Sequence, residues 1–228
     1  MAITVTWLGH ACWLIDTGPH KLLVDPFLDD NESAPIKADA VAADYILITH
    51  GHFDHCSDAA PIAQRTGATL VASFEICNWF AKQGVTKTEP MNLGGSIPTA
   101  FGRVKMTPAW HSSELPDGTY GGNPSGYLVT MLGRRIYIAG DTALFSDMQL
   151  LARGGVDLAI LPIGDRFTMG PEDALEAVKL VQPRLVAPSH YNTWPPIAQD
   201  ASAWAKRVVE ETQAQPFVVL PGESFRIE

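Results

Sequence analysis

The sequence predicts an α/β fold carried by one domain spanning residues 1–228. Three observations predict it. A length of 228 residues suits one such domain undivided. Short apolar, β-branched runs alternate with segments of helical spacing, a βαβ rhythm that lays helices on an outer face of a sheet. Several of these runs also end in a histidine or an aspartate, and open α/β sheets collect their ligands at such strand ends.

In chain order, Ile3–Trp7, Cys12–Asp16 and Lys21–Val24 read as strands, with Gly18-Pro19 marking a turn. Gly9-His10 sits at the first turn, where His10 is a ligand, a substrate contact or a turn histidine. Asp25-Pro26 closes the third strand, because proline ends ladder pairing. Asp25 either orients a ligand imidazole or initiates the turn. Leu28–Lys37 is acidic, contains proline and reads as a surface loop.

Ile46-Leu47-Ile48 is a buried strand that breaks into Thr49-His50-Gly51-His52-Phe53-Asp54-His55. Seven histidines occur in the chain, and three of them fall in this stretch. Four donors so close cannot all reach one tetrahedral ion from a straight strand. A turn eased by Gly51 sends His50 and His52 one way and Asp54 and His55 another, which suits two metal ions side by side.

Ser57–Thr66 then reads as a helix with Ser57 or Asp58 at its N-cap, Thr69–Ala72 as a strand, and Phe74–Gln83 as a helix ended by Gly84. Arg103–Ala109 is a strand that delivers Trp110-His111. Ser112–Asn123 lacks periodicity and is expected to form a flap over substrate. Ser125–Leu132 and Arg134–Ala139 form a hairpin, followed by Gly140-Asp141. Leu158–Pro162 is a strand running into Gly164-Asp165, Pro171–Val181 a helix with proline in its first turn, and Leu185–Pro188 a strand before Ser189-His190-Tyr191. Ala198–Thr212 reads as the last helix and Pro216–Leu220 as the last strand.

Donors after three further strands, His111, Asp141 and His190, complete the set. His50, His52 and His111 serve one ion, Asp54, His55 and His190 the other, and Asp141 bridges both. Asp54 and Asp141 are the candidate catalytic carboxylates. Zn²⁺ is the expected metal, and the donors also admit Mn²⁺ or Fe²⁺. Asn123, Asp165 and Tyr191, with Trp110 and Trp194, flank these segments and either shape the pocket or pack in core and loops. Cys56 reads as a small residue packing beneath the loop.

Composition excludes other classes. The net charge of −9 and the lack of any Lys/Arg run argue against nucleic-acid binding. The first residues show no basic segment or cleavage-like site, and no stretch is long enough to span a bilayer, so no membrane partner is expected. Cys12, Cys56 and Cys77, odd in number and unpaired in spacing, read as reduced thiols of a cytoplasmic protein. A homo-oligomer is neither required nor excluded.

The pattern His50-x-His52-x-Asp54-His55, then His111, Asp141 and His190, resembles the metallo-β-lactamase superfamily. The resemblance is closer to a group of metal-dependent hydrolases in it than to L-ascorbate-6-phosphate lactonase. It is carried by Trp7-Leu8-Gly9-His10-Ala11, Asp25-Pro26-Phe27, Gly121-Gly122-Asn123-Pro124, Leu161-Pro162-Ile163-Gly164-Asp165, Phe167-Thr168-Met169-Gly170-Pro171-Glu172-Asp173 and Ser189-His190-Tyr191-Asn192-Thr193-Trp194. It implies a four-layer αββα sandwich with the metals at one edge of the sheets, and a supporting place for Asp25. Asp141 stands where the cysteine-ligand β-lactamases differ. His52 stands where flavin-associated diiron oxidoreductases typically carry Glu, which disfavours redox chemistry.

The expected activity is hydrolysis of a small ester-like molecule, a phosphodiester or lactone, by a hydroxide formed from a bridging water whose pKa two metals lower to about 7. The alternatives are amide or β-lactam hydrolysis, and a non-catalytic metal-dependent sensor of a small ligand.

Overall fold

The computed structural model describes residues 2–228. Two mixed seven-stranded sheets stack face to face with helices on both outer faces, an αββα sandwich. The first sheet holds β1 (Ile3–Trp7), β2 (Trp13–Asp16), β3 (Lys21–Val24), β4 (Tyr45–Leu47), β5 (Thr69–Ser73) and β6 (Thr88–Met91) in chain order. The second holds β7 (Ser96–Thr99), β8 (Gly102–Pro108), β9 (Ser125–Met131), β10 (Arg134–Ile138), β11 (Val156–Pro162), β12 (Pro183–Ser189) and β13 (Gln215–Pro216). β14 (Ser224–Ile227) crosses back to pair with β1.

Alternation along the central strands explains the layering. Leu22, Val24, Leu47 and Val71 enter the core between the sheets, whereas Leu23, Ile46, Leu70 and Ala72 enter the outer core. A strand covered on both faces must be apolar at every position, which is why these runs lack polar alternation. The outer core of the first sheet is closed by α2 (Ala59–Thr66) and α3 (Phe74–Lys82), which follow the single-turn α1 (Phe53–Cys56). On the second sheet, α4 (Pro171–Val181) and α5 (Ala201–Glu211) bury Leu175, Val178, Trp204 and Val208.

Some expected elements are corrected. Pro216–Leu220 does not form a strand: only Gln215–Pro216 pairs, with β12, and Phe217–Leu220 carries the chain from one sheet to the other. Phe217 N still bonds Val186 O of β12 at 2.8 Å, and beyond it the run crosses with Phe217 and Val219 packed on the core. β6, β7 and β14 and the 3₁₀ segment Ser146–Ala152 were not expected from the sequence. Leu28 and Asn31 are buried, so residues 28–37 are not purely a surface loop. Asp58 stands at the N-cap of α2 but makes no capping bond; its carboxylate instead accepts from Leu28 N at 2.6 Å and Asp29 N at 3.2 Å.

β3, β4, β5 and β6 are mutually parallel, as are β10, β11 and β12. β1 and β8 share their neighbours' direction through one antiparallel strand each. Every segment that carries an expected donor therefore leaves its sheet at the same edge.

Candidate metal centre

The chain leaves β4 under restraint from four directions. Ile48 N bonds Val71 O at 3.1 Å, while the buried Tyr127 hydroxyl donates to Ile48 O at 2.7 Å. Ser125 bonds Thr49 O through both its N (3.0 Å) and its Oγ (2.9 Å). Thr49 N donates to Asp25 Oδ1 at 2.8 Å. Gly140 passes so close that a Cβ there would lie 2.8 Å from Ser125 O and 2.9 Å from Thr49 Cβ. The histidine-rich turn thus starts from a fixed point between both sheets. α1 then rotates Asp54 and His55 away from His50 and His52.

All seven expected donors converge there. Single atoms of His50, His52 and His111 lie within 4.8 Å of one another, and so do those of Asp54, His55 and His190, a group that His10 joins. Asp141 lies between the groups: its Oδ2 is 3.1 Å from His190 Nε2, 3.4 Å from His55 Nε2 and 3.6 Å from His111 Nε2.

The hydrogen bonds behind the imidazoles fix which nitrogen faces inward. Asp25 receives Thr49 N, Thr49 Oγ1 (2.6 Å) and His55 Nδ1 (2.8 Å), and three donors on two oxygens fit an ionised carboxylate. His55 therefore turns Nε2 to the centre. The Thr49 hydroxyl donates its hydrogen bond to Asp25, so its oxygen accepts from His50 Nδ1 at 3.0 Å. That leaves the His50 Nε2 lone pair 2.9 Å from His52 Nδ1. His52 Nε2 is backed by Ser112 Oγ at 3.3 Å. Of the two outcomes weighed for Asp25, orienting an imidazole is the one the geometry supports.

His10 is buried in the first turn. Its Nε2 lies 3.0 Å from Asp54 Oδ2 and its Nδ1 2.9 Å from Thr193 Oγ1. Its carbonyl is shared by Trp7 Nε1, His190 N and Ser189 Oγ, which locks the turn to the end of β12. His10, Asp25 and His190 all have positive φ (55°, 44° and 54°), a conformation costly for side-chain-bearing residues and concentrated at functional sites.

Electrostatically the two groups differ. Burial pushes His50 well below the usual imidazole range and lowers His52 and His111. Burial also works to raise Asp54 and Asp141, but the neighbouring imidazoles outweigh it, His55 foremost for Asp54 and His190 for Asp141, and hold both carboxyls low. For His55 and His190 burial works downward, yet Asp141 and the other carboxylates raise both, His190 to about 9. His10 is lowered to about 4 by burial and by His190, so it is a neutral partner for Asp54.

A cation pair fits these residues. His55 Nε2, both nitrogens of His190 and Asp141 Oδ1 are buried without a hydrogen bond, a condition that normally costs stability and that metal binding would relieve. Mixed imidazole and carboxylate donors suit a first-row divalent metal.

The donors open onto a crevice of about 530 Å³ lined by His52, Phe53, Asp54, His111, Ser112, Asp141, Arg166, Phe167, His190 and Trp194. Arg166 and Phe167 were not singled out in the sequence, since nothing local marks a turn residue as pocket-facing. Other expected pocket residues lie elsewhere. Tyr191 is buried and stacked on Trp7, with ring centroids 5.0 Å apart, and is a packing residue. Asp165 is exposed in a turn with its carboxyl against Gly170, and makes no contact with the donors. Asn123 and Trp110 line a separate, more open hollow that shares His111 with the crevice. Cys56 is buried with Sγ 3.4 Å from Gly51 O, beneath the turn as expected.

Residues 4–190 match the family described as "Beta-lactamase superfamily domain". A UPF0173 metal-dependent hydrolase of Thermus thermophilus is 49% identical over 226 residues, covering 99% of this chain and 100% of its own. One from Heliobacterium modesticaldum is 48% identical over 231 residues, covering 98% and 97%. Among solved structures, Igni18, a metallo hydrolase from the hyperthermophilic archaeon Ignicoccus hospitalis, is similar at TM-score 0.90 and 33% identity, covering 100% of this chain and 99% of that one.

Proposed function

The chain belongs to the beta-lactamase superfamily, and we propose from that premise that it is a metal-dependent hydrolase of a small ester-like substrate, a phosphodiester or a lactone. The observation that carries this reading is the pair of donor trios at one sheet edge, joined by Asp141 and open to a crevice. On this reading His50, His52 and His111 would hold one divalent ion and Asp54, His55 and His190 a second, with Asp141 within reach of both groups. Zinc suits the donors, with Mn²⁺ or Fe²⁺ admitted. Two such ions, when bound, supply water activated near neutral pH and draw charge from the reacting carbonyl or phosphoryl oxygen.

The chain's own residues prepare that chemistry. Asp25 keeps the His55 proton on Nδ1, and Thr49 does the same for His50, so both Nε2 lone pairs face the centre. His10 engages Asp54 Oδ2 and restrains that carboxylate. Asp141 offsets positive charge between the trios. A thiolate nucleophile is not at hand, because all three cysteines are buried and burial pushes Cys56 and Cys77 up to about 12. Those buried thiols also suit a reducing, cytoplasmic setting.

Metal-loaded protein is expected to hydrolyse bis(p-nitrophenyl) phosphate or a lactone with higher kcat/KM than nitrocefin. His52→Ala is expected to lose metal and turnover together. Fully loaded protein that is inert towards phosphodiester, lactone, thioester and β-lactam panels refutes the reading. Full metal stoichiometry in His52→Ala removes His52 from the ligand set.

A further inference from the structure

We propose that Arg166 is the specificity-determining residue of this crevice, selecting a substrate that carries one negative charge and a flat apolar arm, such as an aryl phosphodiester. The proposal rests on the hydrolase reading above and narrows its substrate class.

Arg166 is the one Lys or Arg among the residues lining the crevice. Among the described residues it has no ion pair, whereas Arg134 and Arg207 on the surface are each matched to a carboxylate. Its guanidinium instead lies 5.5 Å from the ring centroid of Phe167, which leaves its charge available to an incoming anion. The chain as a whole carries −9 and repels anions at long range. Beside the ions of the proposed site, Arg166 is the cationic side chain of the crevice that can hold and orient an anionic substrate, and its planar guanidinium matches two phosphoryl or carboxylate oxygens.

The backbone presenting this side chain is held in place. Asp165 and Arg166 both have positive φ, 62° and 35°, so two successive residues with side chains occupy the left-handed region. Such strain persists only where the surroundings impose it. Here Thr168 N bonds Asp165 O at 2.8 Å, Asp165 N bonds Met169 O at 3.0 Å, and Met169 N bonds Thr142 O at 2.9 Å. Met169 is buried in the core. Arg166 is thereby tied to the residue next to Asp141, at a fixed place relative to the donors.

The apolar arm has its own surface. Phe53 and Phe167 are 54% and 50% exposed, although aromatic rings of this size are ordinarily far more buried. Phe53 stacks with Trp194 at 6.2 Å, and all three rings line the same crevice as Arg166. Exposed aromatics around a single unpaired cation form a surface complementary to an anion with an aryl substituent.

Calorimetric titration of the metal-loaded full chain with diphenylphosphinate tests this, since that monoanion bears two phenyl groups and no ester bond. Wild-type protein is expected to bind it, and Arg166→Gln to bind it about tenfold more weakly, a loss of the size expected for one charge-assisted pair. Arg166→Lys should fall between the two, and all three should have equal metal content by elemental analysis. Neutral diphenylphosphinamide should show no difference between wild type and Arg166→Gln. Failure of wild type to bind the phosphinate, equal binding by Arg166→Gln, or a parallel loss for the neutral amide overturns the proposal. Turnover of bis(p-nitrophenyl) phosphate is read separately: its absence removes the hydrolase reading, while charge-selective binding through Arg166 still stands or falls on the titration.

Discussion

Asp25 and His10 act on the donors without needing to touch an ion, and each can be tested with a side chain of similar shape. In Asp25→Asn an amide N–H would face His55 Nδ1 in place of an acceptor, which moves the imidazole proton to Nε2, the nitrogen facing the centre. Metal affinity in a chelator competition is expected to fall by roughly 10–100-fold, the usual loss when such a partner is changed. Unchanged affinity would mean that Asp25 serves only the turn. For His10, glutamine places an N–H near the position of Nε2 and can still reach Asp54, whereas asparagine reproduces only the Nδ1 side facing Thr193. His10→Asn should therefore weaken binding of one ion of the pair by about tenfold, with His10→Gln closer to wild type. Equal losses in both would make His10 a packing residue.

At the scale of elements, the centre depends on how the second sheet grips the chain leaving β4. Tyr127 on β9 is buried, burial keeps its phenol protonated, and it donates to Ile48 O just before the histidine-rich turn. Tyr127→Phe preserves the ring and deletes this bond, at an expected cost of about 1–2 kcal/mol. The check is a lower urea midpoint with unchanged slope. Most strands that deliver donors were legible as apolar runs broken by a donor, and the one before His111 by its looser alternation. β6, β7 and β14 were not: Thr88–Met91 and Ser96–Thr99 each include proline and a polar residue, and Ser224–Ile227 is short. Their pairing is decided by neighbouring strands, so the local pattern carries little of it. The reverse error arose at Pro216–Leu220, where apolar residues are used to cross between sheets.

Across the whole molecule, metal loading is linked to protons and to stability. The surrounding carboxylates raise both His55 and His190, the latter to about 9, so His190 is protonated at pH 7 in the metal-free chain. Metals bind deprotonated rings, and loading should release at least one proton per chain at that pH. Calorimetric enthalpies in buffers of different ionisation heat measure this number. For His190 the raised pKa means that its charge stabilises the metal-free fold fully below the ordinary imidazole value of about 6.5 and loses that contribution as pH rises through about 9. Metal binding tightens over the same interval as protons cease to compete. The gap in Tm between loaded and metal-free protein should therefore widen from pH 6 to pH 9, and a gap that narrows would contradict the assignment of His190 as a donor.

The sequence alone determined the α/β class and brought out seven candidate donors grouped about Asp141, because a strand's end and a cluster of imidazoles are local features. Only the tertiary structure decided what stands behind and beside them. Asp25 meets His55, His10 meets Asp54, and Arg166 and Phe167 share a crevice with Asp141 because parallel strands far apart in the chain end at one edge. Those pairings depend on sheet register and on turns held at positive φ by hydrogen bonds from other strands, and no local pattern of residues encodes them.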